Sequence, residues 1–346
     1  MSDSGSAAVL DDPHSELLSD LHSESEELDR LVAPLEPGRW LLATPSPGWS
    51  LAHQIAHLTW TDSAALLAVT DPRAFAAESD KALGPVRPIF AGPRRLARTL
   101  AALSESPEYI QYTGDPPPCD RRSASEGESR RRDEESAANV VHQTPRPDPR
   151  RSTGQDLAAP DTFVDEGAAA GAALPPAELL ARWRDGRARL HLALRGAPPG
   201  ARFPWYGPPM SAASMATARL METWAHGQDI ADALGVRREP SARLRHVVWI
   251  GVRARDYAYL VRGKQPPAEP FRVELTAPGG ELWTYGPEGA AQRVTGPALD
   301  FCLLATQRAH RADLAVRAEG PDADAWLDIA QAFAGPAGPG RAPKGA

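Results

Sequence analysis

The residues with the clearest chemical potential are Glu222 and His226, which are four positions apart. Side chains at that spacing lie on one face of a helix, so a carboxylate and an imidazole can converge on one cation there. Asp229 continues the same face, and His53 and His57 repeat the four-residue spacing in another segment. Since facing helices of a bundle commonly build metal sites between them, the pattern predicts a site for one divalent metal.

The predicted ligands are His57, Glu222 and His226, a set that leaves one coordination position open, as in catalytic zinc sites. The same donors suit nickel, iron or manganese. A divalent cation would favour the deprotonated form of a water or substrate thiol bound at the open position. The simpler alternative is a Glu–His hydrogen bond or a solvated helix face. We expect His53 and Asp229 to position the ligand side chains rather than to bind the metal.

The elements that must position these residues are predicted to form an α+β protein, with a helical bundle first and a small α+β domain after it. Apolar residues at helical spacing predict the helices, and alternation at period two predicts strands after Gly263. The predicted helices span 14–35, 50–70, 176–196, from Ser211 or Ser214 to 234, and 241–260. The predicted strands span 271–275, 282–285, 291–295 and 313–318, with helices at 297–309 and 322–334.

A long polar segment interrupts the predicted bundle. From residue 104 it consists mostly of Ser, Pro, Arg, Glu and Asp, which cannot bury enough apolar surface to offset the entropy of ordering. The predicted divisions are 1–13 as a disordered N-terminus, 14–80 and 161–262 as the bundle, 81–160 as an insertion mostly disordered from 104, 263–336 as the α+β domain, and 337–346 as a flexible tail.

Composition excludes several classes of function. The chain has 346 residues and a formal net charge of -7 with no basic stripe, so no nucleic-acid partner is expected. The first thirteen residues lack the features of a signal peptide, and no apolar run approaches the ~20 residues that a membrane span needs. The two cysteines, Cys119 and Cys302, form no metal-binding or disulfide pattern. We therefore expect a soluble, cytoplasmic protein.

Two stretches of the chain resemble a known family. Residues 44–58, which end with His57-Leu58, and residues 218–230, which contain Glu222 and His226, are similar to the two signatures of mycothiol-dependent maleylpyruvate isomerase-like proteins. These belong to the DinB-like superfamily of metal-binding four-helix bundles. The closest resemblance is to an actinobacterial subgroup described as metal-binding and sometimes named for wyosine base formation. The resemblance covers about 14–80 and 161–340 and lapses over 81–160, which is either an insertion or an aberrant reading of the gene.

The resemblance implies which residues act and how. In the family one histidine of the second helix and a Glu-x-x-x-His pair of the fourth bind the metal, and they correspond to His57, Glu222 and His226. The metal, expected to be zinc, activates the thiolate of mycothiol, which adds to a conjugated cis double bond, permits rotation and leaves. An arginine of the C-terminal domain helps to bind acidic substrate. Arg308 and Arg311 are the candidates here, although a solvated helix end explains both equally well.

An aromatic loop and three alternative functions complete the sequence-based hypotheses. Trp205 and Tyr206 can line the mouth of a pocket or seal the edge of a core. The leading hypothesis is a metal- and thiol-dependent transferase or isomerase that acts on a small electrophile. The second is a non-catalytic metal-dependent sensor or carrier, and the third is a helical bundle that uses these residues only for structure. The sequence does not indicate an oligomeric state.

Overall fold

The computed structural model describes residues 13–83, 162–338 and 340–345, which form a helical bundle and a small mixed sheet. The helices are α1 (Pro13–Val32), α2 (Leu51–Thr70), α3 (Pro72–Leu83), α4 (Thr162–Ala172), α5 (Pro176–Arg195), α6 (Ala212–Leu234), α7 (Leu244–Arg253), α8 (Arg255–Leu260), α9 (Ala298–Ala305) and α10 (Pro321–Leu327). The strands are β1 (Arg202–Phe203), β2 (Met210–Ser211), β3 (Phe271–Thr276), β4 (Leu282–Tyr285), β5 (Gln292–Pro297) and β6 (Arg317–Glu319).

Four long helices, α1, α2, α5 and α6, form the bundle that the sequence predicts. Helix α2 packs against α4, α5 and α6, and α1 packs against α5 and α6. Their facing sides are apolar, and Leu28, Ile55 and Trp183 are fully buried between them. Side chains on the inner faces of α2 and α6 therefore meet inside the bundle, as a shared metal site requires.

Local capping signals set the ends of α2 and α6. Ser50 and His53 form a capping box at the start of α2. The Ser211 hydroxyl accepts the Ser214 N–H at the start of α6, and Gly235, at φ 69°, ends that helix in the left-handed conformation. The predicted cap at Ser50 and the predicted stop at Gly235 are confirmed. Of the two serines proposed to cap α6, the structure selects Ser211.

The C-terminal strands form one four-stranded sheet in the order β4-β3-β5-β6. Strand β3 pairs antiparallel with β4 and parallel with β5, and β6 is antiparallel to β5. Helices α9 and α10 pack against this sheet. Four sequence predictions need correction. The helix predicted at 241–260 is divided at Ala254 into α7 and α8, and the helix predicted at 297–309 ends at Ala305. The last strand begins at Arg317 after a 3-10 turn, and the last helix ends at Leu327.

A continuous apolar cluster holds the sheet against the bundle. Leu220 and Trp224 of α6 belong to the same cluster as Val247 of α7, Phe301 of α9 and Trp326 of α10. The C-terminal region therefore packs directly on the helix that carries two of the predicted ligands.

Some sequence predictions fall on residues that the structure does not describe. The disordered N-terminus lies outside the described residues except for its last position, and so does nearly all of the insertion at 81–160. The division of the chain into domains stays a prediction. Among the described helices, none has the length and apolar character that crossing a membrane would require.

Candidate metal centre

Three side chains from α2 and α6 converge inside the bundle. The Nε2 atom of His226 lies 3.1 Å from Oε2 of Glu222, and Nε2 of His57 lies 3.5 Å from the same oxygen. One ligand atom of each residue lies within 4.8 Å of the other two. Donor atoms bound at about 2.1 Å to a tetrahedral zinc ion are about 3.4 Å apart, so this spacing suits one ion. The structure thus brings the three predicted ligands together.

A fully buried glutamine sets the orientation of His226. Gln54 accepts a hydrogen bond from Nδ1 of His226 through Oε1. The amide nitrogen of Gln54 donates to Thr44 Oγ1 at 2.8 Å, and that hydroxyl donates to the Trp49 carbonyl at 2.8 Å. Because the glutamine uses its nitrogen as a donor, its oxygen must accept, and the network assigns the imidazole proton to Nδ1. The lone pair of Nε2 then faces Glu222 and is free for a cation.

The protonation states of the cluster suit metal binding. Burial, followed by the nearby His57, lowers the pKa of His226 to about 4. Burial alone would raise the pKa of Glu222, but its contacts with the imidazoles of His226 and His57 and the charge of Arg219 hold that pKa well below its usual value. Near neutral pH the carboxylate is therefore ionised and His226 is neutral, the forms in which these groups bind metals.

The donor set and its surroundings fit a divalent cation. Two imidazoles and one carboxylate are ligands of zinc and of several other first-row metals. His226 has the supporting hydrogen bond at its second nitrogen that metal-binding histidines usually have. His57 differs, because its Nδ1 is buried and has no hydrogen-bond partner among the described residues. Packing must therefore orient the His57 ring.

Two tryptophans supply that packing. The indole of Trp49 lies 5.3 Å from the His57 ring and 5.9 Å from the His226 ring, measured between centroids. Its Nε1 donates to Asp165 of α4 at 3.0 Å, which fixes the indole over the two imidazoles. Trp60, one turn beyond His57 on α2, lies 6.2 Å from the His57 ring. Neither Trp49 nor Trp60 was among the site residues predicted from the sequence.

His53 lies beside the centre, but its hydrogen bonds are with Ser50 at the start of α2. Its Nδ1 lies 2.8 Å from the Ser50 hydroxyl and accepts the Ser50 backbone N–H at 3.3 Å. The ring lies 6.4 Å from Trp49. His53 thus holds the first turn of the helix that carries His57, and a supporting role for it stays a prediction.

Asp229 joins three separate segments to α6. It is fully buried and accepts hydrogen bonds from Ser46 Oγ at 3.0 Å and from Arg308 Nη2 at 2.8 Å. Nη2 of Arg341, from the segment predicted to be a flexible tail, is its third donor. The backbone carbonyl of Ser46 also accepts the Trp49 backbone N–H at 3.0 Å. Asp229 therefore connects α6 to three parts of the chain: the C-terminal domain, the tail, and the loop that carries Trp49.

The two candidate arginines of the C-terminal domain have different partners. Arg308 is hydrogen-bonded to Asp229, one turn beyond His226, and its positive charge contributes to the lowered pKa of His226. Arg311 pairs instead with Asp324 and Asp328 of the segment around α10. The geometry favours Arg308 as the arginine associated with the centre, and substrate binding by either residue stays a prediction.

An unusual backbone conformation directs Arg308 towards α6. Gln307 has φ 59°, and among the described residues other than glycine it alone has a positive φ. The Arg308 N–H bonds to the Leu303 carbonyl at 2.7 Å and the Gln307 N–H to the Leu304 carbonyl at 2.9 Å. These bonds form a Schellman motif at the end of α9, with glutamine where glycine is usual. The chain therefore reverses immediately before Arg308.

The aromatic loop between β1 and β2 extends a row of rings from the centre. Tyr206 stacks on Trp60, with centroids 6.0 Å apart. Trp205 contacts Tyr206 at 5.1 Å and Phe75 at 5.7 Å. Tyr206 is thus separated from His57 by a single ring, and whether this loop lines the mouth of a pocket or seals the edge of the core stays a prediction.

Arg219 is a charged neighbour that sequence reasoning missed. It lies three residues before Glu222 and seven before His226, so it shares their face of α6. Its guanidinium carbon lies 5.6 Å from the Trp205 ring centroid. Only 4% of the residue is exposed, and its Nε and Nη1 atoms have no hydrogen-bond partner among the described residues. The spacing of positions 219, 222, 226 and 229 was visible in the sequence.

This fold and this donor set define a helical-bundle protein with a candidate metal centre between two of its helices. A family model described as mycothiol maleylpyruvate isomerase N-terminal domain matches residues 21–109 and 132–231, more than half of the chain. A second model, described as wyosine base formation, matches residues 267–319. The chain belongs to the mycothiol maleylpyruvate isomerase N-terminal domain family, which confirms the predicted resemblance. The match continues into 81–109 and 132–160, where the resemblance was predicted to lapse.

The chain is also similar to curated proteins and to solved structures. Two uncharacterized proteins from Mycobacterium tuberculosis, strains CDC 1551 / Oshkosh and ATCC 25618 / H37Rv, are each 46% identical over 324 residues, which is 94% of this chain and 97% of theirs. Crystal structures of a mycothiol-dependent maleylpyruvate isomerase and of its mutant cover 90% of this chain and 96% of their own. Their TM-score is 0.48, at 15% and 14% identity.

Proposed function

We propose that this protein is a divalent-metal enzyme, a transferase or isomerase in which the thiolate of mycothiol attacks a small electrophile. The observation that carries the proposal is the convergence of His57, Glu222 and His226 within 4.8 Å inside the bundle. Membership of the mycothiol maleylpyruvate isomerase family supports the thiol. Zinc is the expected metal, because two imidazoles, one carboxylate and an open position are its catalytic pattern.

Each residue around the centre would have a separate role in binding or orienting the reactants. When bound, the metal would favour the deprotonated form of a thiol at the open position. Gln54 keeps the lone pair of His226 available by holding its Nδ1 proton. Trp49 and Trp60 lie against the His57 ring and would keep water from that side. Arg308 places a positive charge beside His226, where it would favour an anionic substrate group. A reducing cytoplasm is the location that suits a free thiol.

The first test measures the metal itself. Purified protein, with His57→Ala and Glu222→Ala variants, is analysed by inductively coupled plasma mass spectrometry. The unchanged protein should contain about one equivalent, and each variant should lose most of it, since three ligands are needed to hold the ion. His22→Ala and Glu178→Ala, on exposed positions of α1 and α5, are the matched controls. Unchanged metal in both ligand variants would refute the proposal.

The second test separates thiol chemistry from metal binding. Isothermal titration calorimetry of mycothiol into zinc-loaded protein should show binding that is absent from the zinc-free protein. No binding to either form would leave a metal protein without thiol chemistry. The alternative of a non-catalytic sensor or carrier predicts metal and ligand binding without turnover. Thiol transfer to an electrophile that disappears in the His226→Ala variant would exclude that alternative.

A further inference from the structure

The C-terminal tail reaches the helix that carries the metal ligands. Arg341 pairs with Asp229 through Nη2, and its Nη1 lies 2.9 Å from Oδ2 of Asp232. The tail is also fixed on both sides of this residue. The Gly335 N–H bonds to the Tyr257 hydroxyl at 3.1 Å, and the Lys344 N–H bonds to Asp313 Oδ2 at 2.9 Å. Arg341 is thus held over the end of α6 rather than projecting into solvent.

Arg341 and Arg308 share one carboxylate. Arg308 bonds to Oδ2 of Asp229 and Arg341 to Oδ1, and the aspartate is completely buried. With Asp232, the cluster holds two positive and two negative charges, so its net charge is zero. Without Arg341 the same cluster would carry a net charge of minus one beside His226. Asp229 would then cancel the charge of Arg308 almost fully.

We propose that Arg341 is a positioning residue of the metal centre: by sharing Asp229 it leaves the Arg308 guanidinium partly uncompensated, so that an anionic group of the substrate can bind there. This inference rests on the proposed function and extends it to a segment outside both the bundle and the sheet. Arg341 acts through Asp229 and Arg308, and no direct contact between it and the substrate is needed.

The inference predicts opposite effects on an anion and on a cation. The change to a net charge of minus one repels an anion by an amount equivalent to about 3- to 20-fold in affinity, for charges roughly 10 Å apart at an effective dielectric constant of 20 to 40. The same change attracts a metal cation. The Arg341→Ala variant should therefore bind a small anion more weakly and should bind zinc as tightly as before or more tightly. A variant that merely loosened the site would weaken both.

The experiment uses the full chain with maleate as the anion and zinc as the cation. Maleate affinity of zinc-loaded protein is measured by isothermal titration calorimetry, and zinc affinity by competition with a fluorescent chelator. Arg341→Lys keeps the charge and should recover most of the maleate affinity. Arg237→Ala is the matched control, because this arginine also follows α6 but its side chain is 87% exposed and, among the described residues, pairs with the exposed Glu239. That control should change neither affinity.

Each outcome decides the inference. Weaker maleate binding with zinc affinity kept or raised in Arg341→Ala, together with recovery in Arg341→Lys, supports it. Unchanged maleate affinity, a parallel loss of both affinities, or no maleate binding by the unchanged protein would each overturn it. Absence of zinc binding in the unchanged protein would instead remove the proposed function. In that case the maleate affinities, repeated on zinc-free protein, still test the role of Arg341.

Discussion

Replacing Gln54 tests whether the hydrogen bond behind His226 controls metal affinity. In a Gln54→Leu protein Nδ1 of His226 loses its acceptor, and the proton is free to move to the nitrogen that should bind the metal. Loss of such a supporting partner typically costs about 10- to 100-fold in metal affinity, or about 1.4–2.8 kcal/mol. Nδ1 of His226 is also left buried without a hydrogen-bond partner, which should lower the free energy of unfolding by about 1–3 kcal/mol.

The assay is a zinc competition titration at pH 7.5, with urea denaturation of the metal-free proteins beside it. Gln54→Glu keeps an acceptor for His226, so its zinc affinity should equal or exceed that of the unchanged protein. Gln228→Leu, the same substitution on α6 at a residue bonded to Asp232, should keep full affinity. The reasoning is refuted if Gln54→Leu binds zinc normally, or if Gln54→Glu loses as much affinity as Gln54→Leu.

Three further substitutions test the surroundings of the centre by urea denaturation. Burial raises the pKa of Asp62 from 3.8 to about 6, so the folded protein loses stability as the pH rises between these two values. Asp62→Asn should therefore stabilise the protein by about 1.5 kcal/mol at pH 5 and about 3 kcal/mol at pH 8. An equal gain at both pH values would contradict this pKa shift. Gln307→Gly should raise the free energy of unfolding by about 0.5–1 kcal/mol by relieving the positive φ, without changing metal content. Gly171→Ala should lower it by about 1–3 kcal/mol, because the new Cβ would lie 2.7 Å from the Cβ of Ala56.

The ends of a helix could be predicted from the sequence where a capping residue or a helix-ending glycine stands at them. Ser50 and Gly235 set the predicted limits of α2 and α6 because capping and left-handed conformations are properties of a few adjacent residues. The division between α7 and α8 at Ala254 has no such mark, since neither glycine nor proline stands there. The residues at the break therefore give no local signal from which it could be predicted.

The ligands were predictable, but their supporting residues were only partly so. Spacing of four residues selects Glu222 and His226 as a pair, and family resemblance selects His57 over His53. Arg219 could have been recognised from its place on the same face as Glu222. Arg341 could not, because a Pro/Gly-rich tail carries no periodic signal that would place it on α6.

The unpaired polar atoms inside the bundle argue against a purely structural use of these residues. Nδ1 of His57 and two nitrogens of Arg219 are buried without hydrogen-bond partners among the described residues. Each such group costs about 1–3 kcal/mol, and more when it is charged. Apolar side chains of similar volume would often make the same bundle more stable. The arrangement is reasonable where a cation binds Nε2 of His57 and an anionic substrate group pairs with Arg219, and stability lost in this way is a common accompaniment of function.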